Sequence, residues 1–99
     1  MPDPIITVLM PVYNGERFLK DAIESILQQS FVDFEFFIID DGSTDRTAEI
    51  LQGYHDNRMK VVYNQRNQGL TRCLNQGLAL AAGKYIARQD ADDISARER

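Results

Sequence analysis

The sequence predicts an α/β domain built on a mainly parallel sheet, and three observations carry that prediction. Short β-prone apolar runs alternate with longer stretches whose apolar residues recur at helical spacing. The first run is apolar on both faces, as a central strand of a parallel sheet is, and the second is apolar towards its end. The unusual polar residues gather directly after the runs, at the strand ends where open α/β sheets bind their ligands.

The elements follow in order. Ile5 to Met10 is a nearly continuous β-branched run, too short for a helix, with Pro11 expected to end it and Val12 to Gly15 to form a turn. Phe18, Leu19, Ala22, Ile23, Ile26 and Leu27 then form the apolar stripe of a helix that covers the sheet. Phe34 to Ile39 is the second strand and runs into Asp40-Asp41-Gly42-Ser43-Thr44-Asp45, a tight turn in which Ser43 or Thr44 is placed to cap a helix starting near Asp45. Thr47, Ile50, Leu51 and Tyr54 give that helix its stripe, and His55 reads as a surface loop residue. Met59 to Asn64 alternates enough to suggest a strand near the sheet edge. After a polar loop, Leu70, Cys73, Leu74, Leu78, Ala81 and Ala82 form a third stripe, with Gly83 as its C-cap, and Lys84 to Gln89 is the fourth strand. The order β-α-β-α-β-α-β implies right-handed crossovers between parallel strands.

Composition narrows the function classes. Ninety-nine residues, 43% hydrophobic and 26% charged, describe one small globular domain, residues 1–99. A net charge of −4 with no basic stripe argues against nucleic acid as a partner. The single cysteine, Cys73, excludes an internal disulfide and a cysteine-rich metal site, and its place in a helical stripe reads as a small buried hydrophobe. The N-terminus has no signal-peptide pattern, and no apolar run approaches the ~20 residues that span a bilayer. The expectation is a cytoplasmic protein.

Asp90, Asp92 and Asp93 pack three carboxylates into four positions after the fourth strand. Two unit charges about 4 Å apart cost ~4 kcal/mol at an effective dielectric of 20. A solvated loop tolerates that repulsion, and so does a bound cation. Hard oxygen donors suit Mg²⁺ or Mn²⁺, which leave positions for phosphate oxygens. Parallel strands bring this cluster to the same rim as Tyr13-Asn14, Asp40-Asp41 and Asn67 to Gly69. Tyr13 offers a face for stacking on a base, and Asp41 offers acceptors for a base N–H or ribose hydroxyls. Neither a GxGxxG nor a Walker lysine loop is present, so glycine cradles do not hold the phosphates. A nucleotide diphosphate bridged by metal uses all four loops.

These same residues carry a resemblance. Val8 to Asn14, Ile39 to Asp45, Asn67 to Leu70 and Asp90 to Asp93 resemble, in order and spacing, the nucleotide-binding half of family 2 glycosyltransferases, over residues 5 to 97. Each motif is weak alone, whereas four in order are specific. The resemblance implies a Rossmann-like GT-A fold with strand order 3-2-1-4, and transfer of a sugar from a nucleotide-diphosphate sugar, UDP-linked, to an acceptor hydroxyl with inversion. It implies that Pro11 and Tyr13 line the base pocket, that Asp41 bonds the base, and that Asn67 and Gly69 shape the loop beside the diphosphate. Asp90 and Asp92 match the DxD signature, with Asp92 and Asp93 on the cation. Leu74 stands where an arginine is frequent in relatives, which leaves Arg66 or Arg72 to serve a phosphate.

The resemblance further implies that the acceptor-activating base lies beyond residue 99, so that these residues bind donor without transferring sugar. Surface polysaccharide and other cell-envelope pathways stay open, as does membrane docking of a longer protein. An exposed sheet edge predicts self-association. The alternative function is a non-catalytic nucleotide- or metal-binding module of the same fold. A receiver-like domain wants its acidic pair after the first strand, and a sugar-1-phosphate nucleotidyltransferase wants a Gly- and Arg-rich loop there; Val12-Tyr13-Asn14 fits neither.

Overall fold

A computed structural model describes residues 6–28, 34–81 and 85–88. Seven elements follow one another: β1 (Ile6–Val12), α1 (Leu19–Leu27), β2 (Phe34–Asp40), α2 (Thr47–Gln52), β3 (Met59–Tyr63), α3 (Leu70–Leu80) and β4 (Tyr85–Arg88). The strands form one sheet in the order β3-β2-β1-β4, and all three pairings are parallel. The first two crossovers build outward from β1 to β3. The third returns the chain to the other side of β1, so the strand order reverses there.

Side-chain alternation divides the core into two layers. Val8, Met10 and Val12 of β1 and Phe34, Phe36 and Ile38 of β2 bury one face against Leu19, Ala22, Ile23 and Ile26 of α1 and Leu51 of α2. Leu9 of β1 and Phe37 and Ile39 of β2 point the other way and pack with Cys73 and Leu74 of α3. Covered on both sides, β2 is buried along its whole length, which is why its sequence is apolar on both faces. The exception on the α3 side is a polar pair in register, Thr7 and Glu35, whose hydroxyl donates to the carboxylate at 2.7 Å. β3 is only partly buried, as its alternation predicts for an edge.

Four expectations need correction. Pro11 does not end β1: it lies within the strand, opposite Ile39. The carbonyl of Val12 accepts from the N–H of Asp41, just past β2, at 2.8 Å, so the ring nitrogen of Pro11 faces the opposite side. On that side the described pairing with β4 runs from Ile6 and Tyr85 to Leu9 and Arg88. Ser43 and Thr44 do not cap α2. Their hydroxyls serve the loop after β1, and the carboxylate of Asp45 accepts the Thr47 N–H at 2.9 Å instead. Tyr54 lies past the end of α2 and donates its hydroxyl to Glu24 at 2.9 Å. The buried face of α3 is Cys73 and Gly77, while Leu70 and Leu78 are half exposed. Gly77 is there because a Cβ at that position would collide with the side chain of Leu9. His55 is exposed, as expected. Gly83, proposed as a C-cap, lies outside the described residues.

Candidate functional site: a cleft at the strand ends

The loops after β1 and β2 are locked together before any ligand is considered. Asn14 sits in the left-handed region, at φ 51°, which turns its amide toward the second loop. Its Oδ1 accepts the Thr44 N–H at 2.7 Å, and its own N–H donates to Ser43 Oγ at 2.9 Å. The Gly15 N–H donates to Thr47 Oγ1 at 3.0 Å and the Glu16 N–H to Asp45 at 3.2 Å. Hydrogen bonding to Thr47 and Glu16 holds the Asp45 carboxyl below its ordinary value, although burial alone would raise it. Asp40 accepts the Ser43 N–H at 3.1 Å, which is the turn chemistry expected of it.

The second loop is fastened to the third by close backbone approach. Gly42 has a φ of 74°, and a Cβ there would come within 2.6 Å of the Asn67 nitrogen. Only glycine satisfies both conditions. Three loops from distant parts of the chain are thereby fixed relative to one another.

Asp41 is the centre of this arrangement. It is buried, and its Oδ1 accepts the Gln68 N–H at 2.8 Å and the Asn64 amide at 3.0 Å. Its Oδ2 accepts the Gly69 N–H at 2.9 Å. Gln68 and Gly69 precede and cap the eleven-residue helix α3, which has no side-chain cap of its own. The carboxylate that follows β2 therefore serves as the anion at the positive end of that helix. Burial would raise the pKa of Asp41, but the bonds from Asn64, Gln68, Gly69 and the Cys73 thiol outweigh it and keep the group ionised. The thiol answers in the opposite sense: burial and the Asp41 carboxylate push it up to about 12. Cys73 is thus a buried, unreactive thiol, and a lining residue of the site.

A cleft of about 280 Å³ opens beside Asp41, lined by Pro11, Tyr13, Asn67, Gly69 and Cys73 among others. All five described residues singled out from the sequence (Pro11, Tyr13, Asp41, Asn67 and Gly69) meet in it. Tyr13 is half exposed, with its ring available to a ligand, and Gly69 takes a φ of 95° at the entry to α3. Asn67 makes one long contact, 3.5 Å from its amide to the Asp41 carbonyl. The cleft lies at the carboxyl ends of β1, β2 and β3. Asp90, Asp92 and Asp93 lie outside the described residues; β4, which precedes them, runs parallel to β1 toward the same rim.

Sequence reasoning missed Asn64 and Gln76. They form a reciprocal amide pair, Gln76 Nε2 to Asn64 Oδ1 at 3.0 Å and Asn64 Nδ2 to Gln76 Oε1 at 3.2 Å. Nothing in their spacing marks them, because one follows a strand and the other is two turns into a helix. Arg66 and Arg72, weighed as phosphate contacts, are both exposed, and Arg72 reaches only Gln68 Oε1 at 3.5 Å. Among the described residues no group of His, Cys, Asp and Glu could hold a metal ion, and no helix is long and apolar enough to cross a membrane.

Known proteins share both the sequence and the architecture. The family model described as Glycosyl transferase family 2 matches residues 7–99. The putative glycosyltransferase EpsE of Bacillus subtilis (strain 168) is 45% identical over 95 residues, covering 93% of this chain and 34% of that protein. The putative teichuronic acid biosynthesis glycosyltransferase TuaG of the same organism is 41% identical over 92 residues, covering 91% of this chain and 36% of that protein. Among solved structures, the mannosyltransferase PcManGT from Pyrobaculum calidifontis, in complex with GDP-Man and Mn²⁺, superposes with a TM-score of 0.85 at 27% identity, over 99% of this chain and 32% of that one. S. aureus TarS 1–349 in complex with UDP-GlcNAc gives 0.82 at 31% identity, over 89% of this chain and 26% of that one. The chain spans about a third of the length of the curated relatives it matches. The four-stranded parallel sheet is the one these GT-A structures share. By the match along nearly all of its length, the chain belongs to glycosyl transferase family 2.

Proposed function

We propose that this chain forms the donor-binding part of a glycosyltransferase that moves a sugar from a nucleotide-diphosphate sugar, UDP-linked, to an acceptor hydroxyl with inversion. The observation that carries the reading is the convergence of Pro11, Tyr13, Asp41, Asn67 and Gly69 on one cleft where the strand order reverses. Tyr13 stacks on the base, and Pro11 forms the wall beside it. Asp41, ionised and acceptor-only, takes a base N–H in place of the weak Cys73 S–H donor. Asn67 and Gly69 shape the path of the diphosphate. The solved relatives that hold UDP-GlcNAc and GDP-Man support a nucleotide-sugar donor for this site as well.

The charge of the cleft favours a cation. Asp41 is the charged residue on its lining, and it is negative. Of the N–H groups that lead into α3, those of Gln68 and Gly69 are already taken by Asp41. A diphosphate bound here would meet repulsion unless a positive charge enters from elsewhere. Asp92 and Asp93, hard oxygen donors that follow β4, fit Mg²⁺ or Mn²⁺, with Asp90 on the ribose. Such a cation supplies charge neutralisation to the departing diphosphate. The Mn²⁺ held by PcManGT alongside GDP-Man is consistent with that assignment.

Protein-detected NMR tests the reading. Adding UDP with Mg²⁺ should move the amide resonances of Tyr13, Asp41 and Gly69, and Asp92→Ala should abolish the Mg²⁺ dependence. Shifts confined to other surfaces would overturn the assignment. In a transfer assay with UDP-sugars the 99 residues should bind donor without turnover. A longer protein that binds donor and still fails to transfer would favour the non-catalytic module.

A further inference from the structure

We propose that Asn64, fixed by its amide pair with Gln76, is a positioning residue that aims the Asp41 carboxylate and thereby sets the discrimination between nucleotide bases. The inference rests on the donor reading above. Its starting point is the chemistry of a carboxylate flanked by an amide. An ionised Asp41 only accepts, so the Asn64 group 3.0 Å from its Oδ1 must be the NH₂. That choice turns Asn64 Oδ1 toward α3, where Gln76 Nε2 donates to it at 3.0 Å, and Gln76 Oε1 accepts the second amide proton at 3.2 Å. Each orientation in the chain from Gln76 through Asn64 to Asp41 is dictated by the next. Without Gln76 the Asn64 amide is free to rotate, and its oxygen would then repel the carboxylate.

The consequence lies in what Asp41 can read. With Oδ1 occupied by Asn64 and Gln68 and Oδ2 by Gly69, the remaining lone pair, on Oδ2, becomes available when a ligand N–H displaces the weak Cys73 S–H donor that also bonds Asp41. An anionic acceptor in a fixed direction matches a base edge that carries an N–H, as uracil and guanine do. It repels the ring acceptor that cytosine presents there. Neither Asn64 nor Gln76 lines the cleft, so their effect reaches the base through Asp41.

Calorimetric titration of UDP and CDP into the wild type, Asn64→Leu and Gln76→Leu tests this, with thermal melting to confirm that each variant folds. Two variants are used because either site could prove intolerant of leucine. Loss of a hydrogen bond to a charged group should weaken UDP about tenfold and leave CDP unchanged, narrowing the ratio between them. Equal weakening of both nucleotides, or an unchanged ratio in a folded variant, would overturn the positioning role. A readout without ligand separates this from failure of the donor reading. The carboxyl ¹³C resonance of Asp41 should titrate at higher pH in Asn64→Leu than in the wild type, and an unmoved midpoint would sink the proposal even if no nucleotide bound. The other titratable groups beside Asp41 are the Cys73 thiol from α3 and the Tyr13 phenol on the cleft lining, with Asp40 its neighbour in the chain, and both variants retain all three.

Discussion

At the scale of the residue, Asp41 does two jobs with one carboxylate. It accepts the Gln68 and Gly69 N–H groups that lead into α3, and it faces the cleft. The first job makes a prediction about acid. The folded-state pKa of Asp41 lies below the ordinary 3.8, so the native state binds that proton less readily than the unfolded chain does. The stabilisation is therefore present above the unfolded value and is lost as pH falls through the folded one. Urea denaturation should show Asp41→Asn less stable by ~1–3 kcal/mol at neutral pH, because its NH₂ cannot accept from the loop. The gap to the wild type should close below about pH 4, and a gap that stays constant into acid would contradict the assignment. Asp41 was legible in the sequence because an acidic residue followed a strand that was apolar on both faces. The partners that hold it were not. Asn64 and Gln76 meet only when β3 and α3 are brought together, and neither belongs to a motif.

Elements were legible where burial is two-sided or where a stripe is long. All four strands and three helices stand where the alternation of apolar runs placed them, give or take a residue or two at their ends. Errors fell where a tertiary contact overrides a local rule. Ser43 and Thr44 have the chemistry of N-caps, but the backbone and side chain of Asn14 take them first. Leu78 fits the stripe of α3, yet the helix turns its smallest residue, Gly77, to the sheet so that it can approach Leu9 closely. That approach is testable. Gly→Ala in a helix normally gains ~1 kcal/mol, whereas overpacking a buried contact costs ~1–3. Leu9 is 1% exposed and has little room to move, so Gly77→Ala should be net destabilising in urea denaturation. Adding Leu9→Val should recover part of the loss. A stabilised Gly77→Ala protein would show that α3 stands off the sheet.

For the whole molecule, the sheet order governs where chemistry can occur. Strand order 3-2-1-4 came from the resemblance, since periodicity alone cannot say on which side of β1 the fourth strand lies. The structure gives that order, and a cleft lies at the carboxyl ends of β1, β2 and β3 among three loops already braced against one another. The same view exposes a liability. Among the described residues β4 forms one edge of the sheet, with Tyr85 66% and Ile86 41% exposed, and Leu78 and Leu80 of α3 are half exposed. Apolar edges recruit partners. Sedimentation of the 99-residue chain should reveal concentration-dependent self-association that Ile86→Lys weakens, and a monomer at all concentrations would refute it.

If the cleft seats a nucleotide base, Tyr13→Ala probes it with least risk to the fold, because that ring is half exposed. The measurement is calorimetric titration of UDP, in the presence of Mn²⁺, into the chain and into Tyr13→Ala. Loss of a stacking face worth ~1–3 kcal/mol should weaken binding roughly tenfold or more while leaving the melting temperature in place. Equal affinity in the two proteins, or no binding by a folded wild type, would contradict the claim that these loops hold a nucleotide.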